Sequence, residues 1–81
     1  MRLPRDLSGP ELAKALDRLG YRLTRQTGSH MRLTAVRSGR EHHMTIPNHA
    51  PLKIGTLNAI LKDVAAQSGL TRDELLARLL P

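Results

Sequence analysis

The spacing of apolar side chains changes twice along this chain, and the two changes divide it into three segments. From Ser8 the apolar positions recur every three or four residues; between Tyr21 and Pro47 they alternate with polar positions; from Ile54 the longer spacing returns. A period of about 3.6 residues is typical of an amphipathic helix, and a period of two is typical of a strand with one buried face. The pattern predicts an α+β fold of order αβββα with one added helix.

The first segment predicts a helix over residues 9–19. Ser8 and Glu11 have the spacing of a capping box, in which each side chain accepts a hydrogen bond from the backbone N–H of the other. Pro10 falls in the first turn, where its missing N–H costs little, and Gly20 is an expected stop signal. The side chains predicted to face the core are Leu12, Ala15, Leu16 and Leu19.

The middle segment predicts a meander of three antiparallel strands, with turns at 27–29 and 38–40 and an end at Pro47. Neighbouring side chains of a strand point to opposite faces, so the apolar set should meet the helices and the polar set should form an open face. The predicted inward set is Tyr21, Leu23, Met31, Leu33, Ala35, Met44 and Ile46, with His42 at the edge of the core. The predicted open face carries Arg22, Thr24, Gln26, His30, Arg32, Thr34, His43 and Thr45.

The last segment predicts a helix over residues 54–67, ended by Gly69, and a short third helix after a second capping-box pattern at Thr71 and Glu74. Both helices carry apolar residues at helical spacing, and helices on one face of an antiparallel sheet are the economical architecture for this order of elements. The apolar positions are Leu57, Ile60, Leu61, Val64 and Ala65 in the first of them and Leu75, Leu76, Leu79 and Leu80 in the second.

Composition narrows the class of protein. The length of 81 residues predicts one domain over 1–81, and a formal net charge of +6 favours polyanions or an acidic protein as partners. No apolar run approaches the roughly 20 residues of a membrane span, and the start of the chain lacks the apolar part of a signal peptide, so we expect a cytoplasmic protein. The absence of cysteine excludes disulfides and thiolate metal sites.

Four histidines raise the question of chemistry. His42 and His43 are consecutive in a strand and should point to opposite faces, and no HxxxH or HExxH pattern is present, so the spacing does not favour a metal site. Ser29 is adjacent to His30, with no obvious acid to complete a catalytic triad. His30 is thus either an ordinary polar residue of the open face or a proton-transfer group, and with His43 it could form an acid–base pair across the strands.

A single imidazole near Arg and Lys side chains is suited to RNA cleavage. RNA carries its own nucleophile, the 2′-OH, so the enzyme needs to align it, move protons and offset phosphate charge. Gly28 would let the backbone approach a phosphate closely, unless it serves only the turn, and Arg25, Arg32 or Lys53 would offset the charge. Lys53 and Thr56 also belong to a helix start, where free N–H groups favour an anion; an ordinary exposed lysine is the alternative.

The order of motifs resembles the HicA toxin family of type II toxin–antitoxin systems. The resemblance runs from about Leu7 to Leu80, and its most specific parts are GSH at 28–30, TIP at 45–47 followed by His49, and LKIGTL at 52–57. Ile54 stands where the family often has proline. The resemblance implies a double-stranded-RNA-binding-like fold and an mRNA endoribonuclease (mRNA interferase) that requires no metal or other cofactor.

The resemblance also implies that His30 is the catalytic residue. It implies a HicB-like antitoxin partner that masks the active region and carries the DNA-binding part, so that DNA contact occurs only through the antitoxin. A non-catalytic module that binds double-stranded RNA is the alternative function. Together with the reasoning from the residues, the predicted RNA-binding set is Gly28, Ser29, Arg25, Arg32, Lys53 and Thr56.

Overall fold

The computed structural model describes residues 6–79, and its elements follow the predicted order. They are helix α1 (Gly9–Leu16) with a 3₁₀ turn (Asp17–Leu19), strands β1 (Arg22–Thr27), β2 (His30–Arg37) and β3 (Arg40–Pro47), and helices α2 (Ile54–Ser68) and α3 (Arg72–Leu79). The three strands form one antiparallel sheet in the order β1-β2-β3. The predicted α+β architecture is therefore confirmed, with the first helix tightening in its last turn.

Both predicted capping boxes form. The Ser8 hydroxyl accepts from the backbone N–H of Glu11 at 3.1 Å, and a Glu11 carboxylate oxygen accepts from the N–H of Ser8 at 3.1 Å. Thr71 and Glu74 make the same two bonds at the start of α3. These bonds stabilise the ionised carboxylates, and they lower the pKa of Glu11 and of Glu74.

The core lies between the helices and one face of the sheet. Within the described residues, every buried side chain is apolar apart from the Tyr21 hydroxyl. None of the described helices combines the length and the apolar character that a membrane span requires. Leu80, predicted for this core, lies outside the described residues. The buried apolar side chains are those of Leu12, Leu16, Tyr21, Met31, Leu33, Ala35, Met44, Ile46, Leu52, Leu57, Ile60, Leu61, Val64, Ala65, Leu75, Leu76 and Leu79.

Strand β1 departs from the predicted alternation. Leu23 pairs with Leu33 but Arg25 pairs with Arg32, so the strand contains a bulge that uses one extra residue. Beyond the bulge the faces are exchanged: Gln26 pairs with the buried Met31, and its predicted place on the open face is wrong. Leu23 was also predicted to be buried, yet it is 53 % exposed, because it lies on an edge strand that the helices leave uncovered.

The start of α1 is in close contact with the end of β3. Gly9 donates its N–H to the carbonyl of His49 at 2.9 Å, and a Cβ at Gly9 would lie 1.9 Å from the carbonyl oxygen of Pro47. Only glycine allows this approach, although the φ angle of Gly9 is ordinary for a helix. Pro47 is in turn the cross-strand partner of His30, so this contact supports the end of the sheet where His30 lies.

His42 lies on the helix side, as predicted, where it links β3 to α2 and to the residue that precedes β1. Its Nδ1 is 2.8 Å from the hydroxyl of Tyr21, and its Nε2 is 3.1 Å from a carboxylate oxygen of Asp63 on α2. Burial raises the pKa of the Tyr21 hydroxyl. Both ring nitrogens of His42 therefore have partners within the fold, which makes it a structural residue.

Candidate active site

His30 is the first residue of β2, immediately after a two-residue turn. Gly28 has φ 53°, a left-handed conformation that glycine adopts without strain and that tight hairpin turns require. The carbonyl of Ser29 accepts a hydrogen bond of 2.6 Å from the N–H of Asn48, which follows β3. His30 pairs with Thr27 on one side and with Pro47 on the other. The backbone that carries the imidazole is thus held from both neighbouring strands.

A shallow depression of about 200 Å³ opens beside His30 on the open face of the sheet. Its lining comes from all three strands and consists of Arg25, Thr27, His30, Arg32 and Thr45. Arg32 lies at the centre, paired with Arg25 on β1 and with Thr45 on β3. None of the five lining residues is acidic, so the depression is a cationic surface with one imidazole.

The lining side chains are free to meet a ligand. Within residues 6–79, the side chains of His30, Arg25 and Arg32 make no hydrogen bond or salt bridge to another residue. All three residues are exposed. An unpaired guanidinium beside an exposed imidazole retains its donors for an incoming anion, and Arg is well suited to bidentate bonds with phosphate.

The bulge in β1 determines which cations meet here. Without the bulge, regular alternation would send Arg25 to the helix side; with it, Arg25 lies beside His30. Thr27 reaches the depression for the same reason, and sequence reasoning missed it. Thr45 was predicted for the open face, and its pairing with Arg32 was the available signal that it belongs to the site.

Two other residues of the predicted RNA-binding set lie elsewhere. Lys53 is exposed at the N-cap of α2, and Thr56 is half-buried in the first turn. That turn has no side-chain cap and no acidic residue. Neither residue lines the depression, and the chain from 48 to 53 connects them to the end of β3. They offer a separate helix start of the kind that favours an anion.

The structure does not bring His30 and His43 together. His43 is on the open face and on the neighbouring strand, as predicted, but its partner is Thr34, four residues beyond His30. At the usual rise of a strand this is a separation of about 13 Å. The His43 ring instead contacts the hydroxyl of Thr34 at 2.8 Å and a carboxylate oxygen of Glu41 at 3.1 Å.

Metal ligands are not clustered in the described part of the chain. Residues 6–79 contain no group of three or more His, Asp or Glu side chains placed to hold a metal ion. The four histidines are spread over both faces of the sheet and the loop after β3. The chemistry that the depression offers is therefore that of an imidazole and two guanidiniums.

A family model described as the HicA toxin of bacterial toxin–antitoxin systems matches residues 9–65. No curated protein and no solved structure matches the chain. The matched span runs from the start of α1 through the sheet and into α2, and the open three-stranded sheet with its helices agrees with the double-stranded-RNA-binding-like fold of that family. The chain belongs to the HicA toxin family, with the toxin role in a toxin–antitoxin system.

Proposed function

We propose that this toxin is an endoribonuclease that cleaves mRNA without a metal ion, with His30 as its proton-transfer residue. The observation that carries the proposal is the exposed imidazole of His30 in a depression whose other charged residues are Arg25 and Arg32. Both arginines lack protein partners within residues 6–79, and no carboxylate lines the depression to compete for them. A phosphodiester would supply the missing counter-charge.

The proposed reaction uses the 2′-OH of RNA as nucleophile. It attacks the adjacent phosphorus, the bond to the 5′-oxygen of the next nucleotide breaks, and that oxygen takes up a proton. We assign one of the two proton transfers to His30 and the other to water, because His43 is about 13 Å away along the sheet. Arg25 and Arg32 stabilise the negative charge that grows on the phosphoryl oxygens.

The remaining members of the predicted set bind rather than react. Gly28 and Ser29 form the turn beside the depression and would let the RNA backbone approach closely. Lys53 and Thr56 would bind a second phosphate at the start of α2.

An antitoxin would act by covering the depression. We propose a HicB-like partner that presents carboxylates to Arg25 and Arg32, because the toxin carries a net charge of +6. In this proposal the antitoxin also supplies the contact with DNA, and the toxin acts on mRNA in the cytoplasm.

The test is RNA cleavage by the purified chain beside His30→Ala, with EDTA in a parallel reaction. We expect cleavage by the wild type in both buffers and cleavage slower by about 10²- to 10⁴-fold by the variant. The alternative function, a module that binds double-stranded RNA without cutting it, predicts intact RNA with both proteins and equal binding. Cleavage by His30→Ala at the wild-type rate would overturn the role of His30, and loss of wild-type cleavage in EDTA would overturn the metal-independent mechanism.

A further inference from the structure

At the end of the open face away from His30, a network of side-chain hydrogen bonds crosses all three strands. The Thr24 hydroxyl donates to the carbonyl of Arg32 at 3.3 Å and lies 2.9 Å from the hydroxyl of Thr34. Thr34 is 2.8 Å from Nδ1 of His43, and Nε2 of His43 is 3.1 Å from a carboxylate oxygen of Glu41. This network fixes the plane of the His43 ring relative to the sheet.

The geometry shows how the ring is held. Nδ1 of His43 faces the Thr34 hydroxyl and Nε2 lies within ion-pair distance of the Glu41 carboxylate, so the ring edge is turned toward protein groups. The ring also lies about 13 Å along the sheet from His30, which is too far to act on a phosphate held there.

The accessible parts of this cluster are an imidazole, a carboxylate and an apolar side chain. The side chain of His43 is 39 % exposed and that of Glu41 is 62 % exposed. Because the ring edge is engaged by Thr34 and Glu41, the exposed part of His43 offers its face. Val36, the cross-strand partner of Glu41, is 66 % exposed and adds an apolar wall on the same face of the sheet.

Each group has a matching partner on a base. Histidine is among the side chains on which unstacked RNA bases stack. A carboxylate accepts hydrogen bonds from exocyclic amino groups, as Asp and Glu do from the amino group of cytosine. Uracil has no exocyclic amino group, and its one donor on this edge, N3–H, lies between two carbonyl oxygens that repel the Glu41 carboxylate.

We propose that His43, Glu41 and Val36 form a nucleobase subsite that takes an amino-bearing base, namely cytosine, adenine or guanine, in preference to uracil. The inference rests on the proposed function, because the same single strand of RNA would hold its scissile phosphate at His30. The subsite lies four residues along the sheet from His30, with the intervening Arg32 beside the path. It therefore reads a base that flanks the cleavage site.

The first experiment maps cleavage sites on a pool of random-sequence RNA. We expect one position, at a fixed distance from the cut, at which amino-bearing bases are favoured about tenfold over uracil, the size typical of one stacked or hydrogen-bonded base. His43→Ala should reduce that preference to near unity. Glu41→Gln should raise the share of uracil, since the amide N–H can donate to a uracil carbonyl. Asp6→Asn removes the same charge elsewhere and should leave the pattern unchanged.

The second experiment measures binding with the His30→Ala protein, so that it does not depend on cleavage. Single-stranded oligonucleotides that differ only in one cytosine or uracil are compared by anisotropy, and ring resonances of His43 are followed by NMR. Tighter binding of the cytosine RNA with a shift of the His43 resonances supports the subsite even if the wild type proves unable to cleave RNA. Equal binding of the two RNAs, or a cleavage pattern that His43→Ala leaves unchanged, would overturn it.

Discussion

The two ends of the open face carry the same kind of ring in opposite circumstances. At one end, His30 is exposed beside Arg25 and Arg32, and within residues 6–79 its ring makes no hydrogen bond to a side chain. At the other end, Nδ1 of His43 lies 2.8 Å from the Thr34 hydroxyl and Nε2 lies 3.1 Å from a Glu41 carboxylate oxygen. Strand alternation places both residues on this face, but their neighbours on the adjacent strands differ.

The difference separates proton transfer from recognition. A catalytic imidazole must reach the reacting atoms, and His43 lies about 13 Å along the sheet from the depression at which we propose the phosphate binds. A recognition group benefits from being held, because fixing its orientation in advance removes an entropic penalty at binding. We therefore propose proton transfer for His30 at the cationic end and base recognition for His43 at the far end.

The largest expected effect is the loss of cleavage on replacing His30. His30→Ala should lower kcat by about 10²- to 10⁴-fold, the usual contribution of one acid–base group. His43→Ala should lower kcat/KM only about tenfold and only on RNA with an amino-bearing base at the subsite. Initial rates on defined oligonucleotides measure both, and thermal unfolding of each variant checks that it is folded. Equal losses in kcat for the two variants would erase the distinction between the ends.

The next effect comes from the backbone contact behind the His30 end. Gly9→Ala places a Cβ against the carbonyl oxygen of Pro47, and we expect a loss of about 1–3 kcal/mol in the free energy of unfolding, as for other overpacked sites. Gly55→Ala is the matched control, because Gly55 also lies in the first turn of a helix and a Cβ there meets nothing within 4 Å. It should stabilise the protein by about 0.4–1 kcal/mol.

Urea unfolding of the two glycine variants gives both values. The cleavage rate is the second measurement. A shift of Pro47 should displace its cross-strand partner His30 and leave His43 in place, so Gly9→Ala should also change cleavage. A Gly9→Ala protein as stable as the wild type would show that the close approach of α1 to β3 is not required.

A smaller effect is expected from the cations of the depression. Arg25→Ala and Arg32→Ala should each weaken RNA binding and reduce the slope of log K against log salt by about 0.7, the value for one phosphate contact on a single strand. Arg40→Ala, at the start of β3 and outside the depression, should change the slope less. Titrations at several salt concentrations measure the slopes. Equal slopes for all three variants would mean that RNA is bound by net charge alone.

The smallest effect concerns acid stability and lies away from both ends of the open face. Capping bonds lower the pKa of Glu11 and Glu74 in the folded protein below the usual 4.5, so unfolding takes up protons at these sites. Their contribution is present above pH 4.5 and is lost as the pH falls through the folded pKa values. Glu11→Gln and Glu74→Gln should flatten the decline in unfolding free energy below pH 4.5. A decline of unchanged steepness would contradict these two assignments.

Much of the fold was predictable because local signals agreed with the tertiary structure. Ser8, Glu11, Thr71 and Glu74 marked two helix starts, and alternation placed Met31 and its neighbours against the helices. The bulge in β1 was not predictable, since Thr24 and Arg25 carry no pattern that distinguishes a bulge from regular pairing. Because of that extra residue, Arg25 and not Gln26 lies on the open face.

For the site, alternation predicted the face of His30 and His43 but not their separation. Their distance depends on the register between β2 and β3, which the Ser38-Gly39 turn sets: His43 pairs with Thr34 rather than with a residue near His30. The contact of His43 with Thr34 follows from the same register, whereas Glu41 lies two residues before His43 on the same face of its own strand. Alternation alone therefore could not distinguish a catalytic pair from two separate sites.

The most direct test of the central claim is the chemistry of the cleaved ends. If His30 assists attack by the 2′-OH, the upstream fragment should end in a 2′,3′-cyclic phosphate and the downstream fragment should begin with a 5′-OH, and both are identified by mass spectrometry of a short RNA. The same RNA with one 2′-deoxynucleotide at the cut should remain intact there. Fragments with a 3′-OH and a 5′-phosphate, or cleavage at the deoxynucleotide, would contradict the mechanism.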